Sequence, residues 1–546
     1  MKILLAALNA RYSHTNLAIR YLRNALNANG FDACIYETAI NDNDGKILRD
    51  LYIADADVYC FSCYIWNIEK TLKAAADLKK VLPQADIILG GPEVSYDASE
   101  IKANNPFISY IICGEGESAI IKLAKALEKG EKADIKGYFY EDINNLVYPY
   151  NDGEITALKD KIIYYESSRG CPYSCSFCLS GREGGVRLLN IDRVKTEITK
   201  ITDEGAYLLK FVDRTFNCDT ERAYKLFEFL INLPCQTRFH FEIRAELLRE
   251  KDFKLLEKAP ENKFQFEVGI QSANADTLNC ISRKADSEKA INSLKRLKEL
   301  KNIHIHADLI AGLPFEDINS FKTSFNTVYP YCDVLQLGFL KVLKGSEIRE
   351  KAKEFEIDYT DKAPYEVLST KWLSFDDILK LKAIEETLER FSNSKAFNNS
   401  LEYLLKFFAS PFDFFEIFSK HLDNNNMLYI NISKKDDYSA LLDFAKQIKG
   451  VDIKLFIEYL RLDYITIFRG EPSFGNNSFY LKKHSFFADT ELINKLLPEY
   501  NDLQSKNIAK YCDIHLFNIS EKKILLFDRR NGKIVDITAH KGKFTV

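Results

Sequence analysis

No apolar run in the sequence approaches the ~20 residues that a membrane-spanning helix needs, so a bilayer-embedded helical protein is not expected. An excess of one charge is also missing. The net charge is −4, which argues against a broad polyanion-binding surface and against nucleic acid as a partner, while leaving local basic grooves open. Internal repeats and low-complexity tracts are absent. Methionine is scarce, with 2 residues, a matter of genome composition that carries no functional information. The opening stretch MKILLAALNARYSH has a lysine, a short apolar run and small residues, as a secretory signal does. The run is too short for one, and reads as a buried strand entering a helix. A cytoplasmic protein is therefore expected, in which thiols stay reduced and clustered cysteines point to metal or catalysis rather than disulfides.

What is present is an ordinary globular composition, 46% hydrophobic and 28% charged, over a length that suggests about three domains. In residues 1–135 short apolar runs (KILLAAL, DACIYETAI, DVYCFSCY, ADIILGG, ISYIICGEGE) alternate with amphipathic helical patterns. This alternation predicts an α/β fold, a doubly wound parallel sheet with helices on both faces. Residues 136–160 read as a hairpin and linker, with Asn-Asp-Gly as turn chemistry. Residues 161–360 carry a second series of six strand patterns: KIIYYESS, YLLKFVDRTF, RFHFEIRAE, FQFEVGIQS, IHADLIAGLP and VLQLGFLKVL. Six β/α units suggest a partial barrel, with a site at the carboxyl ends of its strands. Residues 361–546 lose the alternation and read as a mainly helical, phenylalanine-rich domain, ending in a hairpin that turns at Asn531-Gly532. Such aromatic helices are expected to be core rather than a cofactor surface.

Three of the 12 cysteines, Cys171, Cys175 and Cys178, stand together in RGCPYSCSFC, directly after a strand pattern. Thiolate is a soft anionic donor suited to iron, and three of them can hold three irons of a [4Fe-4S] cluster while leaving the fourth open. On spacing alone a three-cysteine zinc site completed by His or Asp stays open, although no regularly spaced fourth ligand is nearby. Gly170 and Pro172 fit a tight loop. The remaining cysteines, among them Cys34, Cys60, Cys63, Cys113 and Cys218, show no ligand spacing.

RGCPYSCSFC, followed in order by FVDRTF, FEIRAE, GIQSANADTLNCISRK and DLIAGLP, resembles the motif series of radical S-adenosylmethionine (SAM) enzymes. The resemblance spans roughly residues 161–348 and implies a partial (β/α)6 barrel. It implies that Cys171, Cys175 and Cys178 hold the cluster, with Phe177 beside it. The open iron then binds the amino and carboxylate groups of SAM, and one electron cleaves the sulfonium to methionine and a 5'-deoxyadenosyl radical. By the same resemblance Asp213 meets the SAM amino group and Glu242 contacts the cosubstrate. Gln271 and Arg283 correspond to carboxylate-binding residues of the oxygen-independent coproporphyrinogen oxidases, and Asp308 to their ribose-binding acid. A Gly-Gly-Glu-like stretch usual in the family is replaced by FVDRTF. Acids and arginines at strand ends also serve as helix caps or barrel ion pairs.

In residues 1–130 the loops ILGGPEVSYD and IICGEGESA end predicted strands with glycine, which lets backbone approach a large ligand. Next to a radical SAM region, they resemble the cobalamin-binding domain of the B12-dependent radical SAM subclass. The implied cobalamin contacts are His14, Ser62, Tyr64, Gly90, Gly91, Gly114, Glu115 and Gly116. The loop NARYSHTNLA departs from the Asp-x-His-x-x-Gly pattern of many such domains, having Tyr12 and Leu17 at the acid and glycine positions. His14 is a cobalt ligand, a corrin-edge contact or a helix cap on this reading, because a ligating imidazole needs an orienting partner.

The resemblance implies a cobalamin-dependent radical SAM enzyme that methylates an unactivated carbon, with flavodoxin or ferredoxin as electron donor. Ring rearrangement or cyclisation without methylation, and a non-catalytic B12-binding sensor, are the alternatives. Methylthio transfer is disfavoured, since the further cluster cysteines of those enzymes are absent from the amino-terminal region. The carboxyl-terminal domain resembles that of an uncharacterised group and suggests no role.

Overall fold

A computed structural model describes the chain except residues 136, 183–184, 285, 475–483, 501–502, 520 and 544–546. The described residues form two units, Met1–Ile378 and Leu379–Val546.

Unit one begins with the strand Lys2–Asn9, whose alternation sends Ile3, Leu5 and Ala7 to one face and Leu4, Ala6 and Leu8 to the other. Both sets are buried, so this strand is central, as a continuous apolar run requires. It pairs in parallel with Asp32–Ala39 on one side and Val58–Ser62 on the other. Asp86–Gly90, Tyr110–Gly114 and Tyr138–Phe139 extend the sheet in order. Helices Leu17–Ala28 and Glu117–Glu128 cover one face, and Asp44–Ile53 and Ile68–Val81 the other. The stretch expected to form a hairpin supplies instead the short sixth strand, a 3-10 turn at Ile143–Asn145 and a helical turn at Glu154–Ala157. Its polar groups find partners on both sides, Arg23 and Arg20 on Glu154 among them, so a free-standing hairpin is not needed.

The second sheet has six parallel strands in sequential order: Ile163–Tyr165, Leu208–Phe211, Arg238–Ile243, Phe264–Gln271, Ile303–Ala311 and Val334–Phe339. Among the described residues it does not close on itself, which makes it a partial barrel. Its helix-side face is built of phenylalanine. Phe211 and Phe241 stack at 4.8 Å, and Phe227 from the helix Thr220–Asn232 packs 5.4 Å from Phe241. The opposite, concave face is polar. After the last strand, residues 340–378 stay with this unit: Val367 N donates to Leu340 O, and Lys371 N donates to Phe355 O. The break between the two units falls after Ile378.

Unit two is mainly helical. Pro411–Asn424 and Lys434–Ala445 pack through the buried rings of Phe418 and Phe444, and Lys434–Ala445 meets Ile453–Ile467 through Tyr438 and Tyr464. The buried Asp463 carboxylate caps the helix Asn398–Leu404 by accepting from the amides of Asn399 and Ser400. The tail hairpin, Lys522–Asp528 with Lys533–Asp536, is joined by a third antiparallel strand, Cys512–Asn518.

Candidate functional site

The first strand of the barrel runs into Glu166–Gly170, where Ser168–Arg169 pairs antiparallel with Arg187–Leu188. This pairing closes the base of the loop that carries the three cysteines. Gly170 has φ +85°, and a Cβ there would lie 2.1 Å from the Gly185 carbonyl oxygen, so only glycine lets the loop close. The loop is docked by Ser176, whose N–H donates to Ile281 O at 2.9 Å and whose carbonyl accepts from Ile348 N at 2.9 Å. Cys171 and Cys175 are buried and Cys178 is half-buried. The Ser180 amide donates to Cys178 Sγ at 3.4 Å, and Arg283 Nη1 lies 4.0 Å from Cys175 Sγ. Burial pushes the Cys175 thiol up, with the Arg283 charge opposing it. Among the described residues no three His, Cys, Asp or Glu side chains converge to hold a single ion. Thiolates that each bind a different iron of a cluster have no need to meet at a point.

Six residues read from the sequence as SAM contacts fall around this loop and the strand ends. Asp213 is fully buried, and burial raises its carboxyl above the ordinary range. It accepts from Ser167 N at 2.9 Å, Ser167 Oγ at 2.7 Å and Ser168 Oγ at 2.6 Å. Three of its acceptor positions thus serve the turn that leads into the cysteine loop. Asp308 and Gln271 differ: Asp308 Oδ1 and Gln271 Oε1 are buried without a partner. Burial raises the Asp308 carboxyl well above its usual range, and the Glu267 and Glu242 charges add to it. Gln271 has φ +70° at the end of its strand, beside Gly269, whose carbonyl accepts from Arg283. Glu242 faces the same side, raised by burial and opposed by Arg214. Phe177 is half-buried beside Cys178. Buried, unpaired acceptors next to an arginine are what a bound zwitterion with a ribose would satisfy.

A cavity of ≈230 Å³ opens at the carboxyl ends of the first sheet. Ser62, Tyr64, Gly90, Gly91, Gly114, Glu115 and Gly116 all line it, with Leu5, Ile19, Ile88 and Ile112 beneath. Gly91 has φ +117°, and a Cβ there would lie 2.5 Å from Cys63 O. His14 is not in this wall. Its backbone bridges to Ile162, and its Nδ1 lies 3.1 Å from the Tyr164 hydroxyl on the first barrel strand. Burial lowers its pKa, and the Arg11 and Lys210 charges lower it further. The thiol of Cys63 is buried and pushed up by burial, as expected of a packing residue.

Sequence reading missed the group that joins the two regions. Arg169, two residues before Cys171, lines the cavity and donates to Glu166 Oε1 at 2.7 Å and Glu117 Oε1 at 2.6 Å. Its Nη1 lies 3.3 Å from Glu115 Oε2. Burial would raise the Glu115 carboxyl, but Arg187 and Arg169 outweigh it and hold it below the ordinary value. Also missed was the concave face of the barrel, where Lys210 Nζ and His240 Nε2 meet Glu267 Oε2 at 3.0 and 2.8 Å. Gln265 Nε2 lies 2.7 Å from His306 Nε2 there. The signal was available: in RFHFEI and IHIHAD every second residue is polar, which places those side chains on one face.

Three family descriptions match consecutive stretches: "B12 binding domain" over residues 3–124, "Radical SAM superfamily" over 165–328, and "Protein of unknown function (DUF4080)" over 353–534. A 2-(S-pantetheinyl)-carbapenam-3-carboxylate methyltransferase of Streptantibioticus cattleyicolor is 25% identical over 309 residues, which is 50% of this chain and 45% of that protein. The hopanoid C-3 methylase of Methylococcus capsulatus is 22% identical over 338 residues, 58% of this chain and 64% of its own. The chain thus spans about half to two thirds of the length of these two relatives. The solved structure of the cobalamin-dependent SAM radical enzyme OxsB, with aqua-cobalamin and S-adenosylmethionine bound, covers 93% of this chain and 83% of its own at 14% identity, with a TM-score of 0.59. That likeness is one of fold. Two parallel sheets, a cysteine loop and three matched regions in this order make this a chain that combines a B12-binding domain, a radical SAM domain and a DUF4080 domain.

Proposed function

We propose that the protein is a cobalamin-dependent radical SAM methyltransferase acting on an unactivated carbon, at a site between the carboxyl ends of its two parallel sheets. Cluster, SAM and cobalamin when bound supply the radical and the methyl group. The chain's own residues hold and orient them. Cys171, Cys175 and Cys178 present the thiolates. Asp308 and Gln271 offer unpaired acceptors to the cosubstrate, with Arg283 for its carboxylate. The glycine loops and apolar floor of the ≈230 Å³ cavity receive part of the corrinoid. Asp213 acts through Ser167 and Ser168, setting the turn before the cysteines. His14 is held by the Tyr164 hydroxyl outside the slot wall, so it would orient the loop rather than hold the corrinoid.

The observation that carries the reading is Arg169. One guanidinium, two residues from a cluster cysteine, lines the cavity of the other domain and binds the acids of its Gly-Glu-Gly-Glu loop. Two separate cofactor sites, each serving its own chemistry, would not need this link. A buried multi-carboxylate arginine also fixes geometry better than a lysine could.

Expected surroundings follow from the chemistry: the cytoplasm, and a low-potential donor such as flavodoxin or ferredoxin. No described helix is long and apolar enough to cross a membrane. The test is mass spectrometry of extracts from cells with and without the protein. A species heavier by one methyl group, present only with the protein, supports methyl transfer. A protein-dependent species without added methyl places the enzyme with the ring-forming alternatives.

A further inference from the structure

The concave face of the partial barrel is the feature that cofactor binding leaves unused. Register puts Tyr164, Lys210, His240 and Gln265 side by side on four successive strands. Glu267 and His306 pair in the next layer, one step below Asp308 on its strand. Three of the chain's eight histidines, His240, His304 and His306, stand on this face. A surface buried only for stability would be apolar, as the phenylalanine-packed opposite face of the same strands is. Here two of the groups stay partly accessible, the side chains of Lys210 and Glu267 being 26% and 21% exposed, while His240 is buried behind Glu267.

Their hydrogen bonds are incomplete in a particular way. Lys210 has three N–H donors and gives one to Glu267. Glu267 Oε2 takes both Lys210 and His240, which leaves Oε1 open among the described residues. Gln265 uses its amide N–H on the His306 ring, so its carbonyl oxygen stays available. Burial and the neighbouring His304 and His240 lower His306 to about 4, so it is neutral. The Lys210–Glu267 pair cancels its own charge. The face therefore offers open donors and open acceptors side by side.

We propose that this face is the substrate subsite, and that it takes a hydrophilic, polyhydroxylated molecule whose vicinal hydroxyls each donate and accept, read by Lys210, Glu267, Gln265, His240 and His306. Neighbouring hydroxyls suit alternating donors and acceptors. A hydrocarbon would strand them all. Depth fits as well: the subsite lies one layer beneath Asp308, so a substrate carbon resting on it faces the cosubstrate side. The inference rests on the methyl-transfer reading for its readout.

The test uses cells that lack the protein, cells that make it, and cells that make Lys210→Met/Glu267→Met, all fed [methyl-²H₃]methionine. The expected result is a protein-dependent, trideuteromethyl-labelled, hydroxyl-rich compound in the aqueous extract, reduced at least tenfold in the double variant. Lys210→Arg is expected to restore part of the label. Iron content of the purified variants, equal to that of the unaltered protein, confirms that they fold. Label in the lipid extract or on a protein side chain overturns the substrate class and keeps the methyl-transfer reading. Protein-dependent label in no fraction overturns both. Undiminished label in a correctly folded double variant overturns the subsite.

Discussion

The two recesses of residues 1–378 are built from opposite materials. The one at the end of the first sheet has an apolar floor of Leu5, Ile19, Ile88 and Ile112, under loops where backbone replaces side chains. The concave face of the barrel has no such floor; carboxylates, imidazoles and a lysine stand where the outer face carries phenylalanine. The difference teaches what each can hold. A backbone-lined apolar slot suits a bulky, largely apolar ring body that shape alone can select. A wall of half-satisfied polar groups suits small polar ligands fixed by hydrogen bonds. Arg169 stands in the slot's wall two residues from the first cysteine, and so ties the slot to the cysteine loop.

The largest expected effect breaks the barrel side alone. Cys175→Ala removes one of three cluster thiolates, and iron content and SAM cleavage are expected to fall to background. Cobalamin binding, followed by its visible absorption, should persist, because the slot contains none of these cysteines. Loss of both would mean that the two recesses do not form independently. Next in size is the link. Arg169→Met leaves Glu117 and Glu166 buried without their cation, a loss of ~3–5 kcal/mol. The denaturation midpoint should drop accordingly, with both cofactors bound more weakly. An effect on one cofactor only would show that Arg169 belongs to one recess.

Smaller changes sharpen the polar side. Asp308→Ala removes an unpaired buried acceptor, and SAM affinity is expected to fall about tenfold, ~1.4 kcal/mol, by calorimetry. Cobalamin affinity should not move. The last change reads pH dependence rather than binding, and lies behind the same strand end. Glu316 accepts from Ser272 Oγ at 2.5 Å and Ser324 Oγ at 2.9 Å, and burial raises its carboxyl to about 7 from 4.5. The folded chain then keeps a proton that the unfolded chain releases. Its contribution, at most ~3 kcal/mol, is complete below about pH 4.5 and lost as pH rises through 7. Glu316→Gln should flatten the fall in melting temperature between pH 5 and 8. An unchanged slope would mean that this carboxyl ionises freely.

Much of this was legible in the sequence, for identifiable reasons. The eleven strands expected in residues 1–360 are present, because apolar runs and two-residue alternation are local properties. The cysteine loop and the glycine loops announce themselves by spacing. Seven residues named for the slot lie in one wall, since glycine-ended strands of one parallel sheet must open on the same edge. Contacts across the chain were not legible. Arg169 meets Glu117 from 52 residues away, and Tyr164 reaches His14 across 150. No periodicity encodes such pairs. The hydrogen bonds of Asp213 with Ser167 and Ser168, more than forty residues away, are of the same kind. In the second unit, Cys512–Asn518 follows directly on the helix Ser505–Tyr511, so its short alternation was hidden by the helical pattern before it.

The account stands on what the cysteine loop does with an electron. The full chain, reconstituted without oxygen with iron and sulfide, should be reduced by dithionite in the presence of SAM and its nucleoside products quantified. The account predicts 5'-deoxyadenosine from the unaltered protein and none from Cys175→Ala. A protein that binds iron and sulfide in full yet yields no 5'-deoxyadenosine would contradict it.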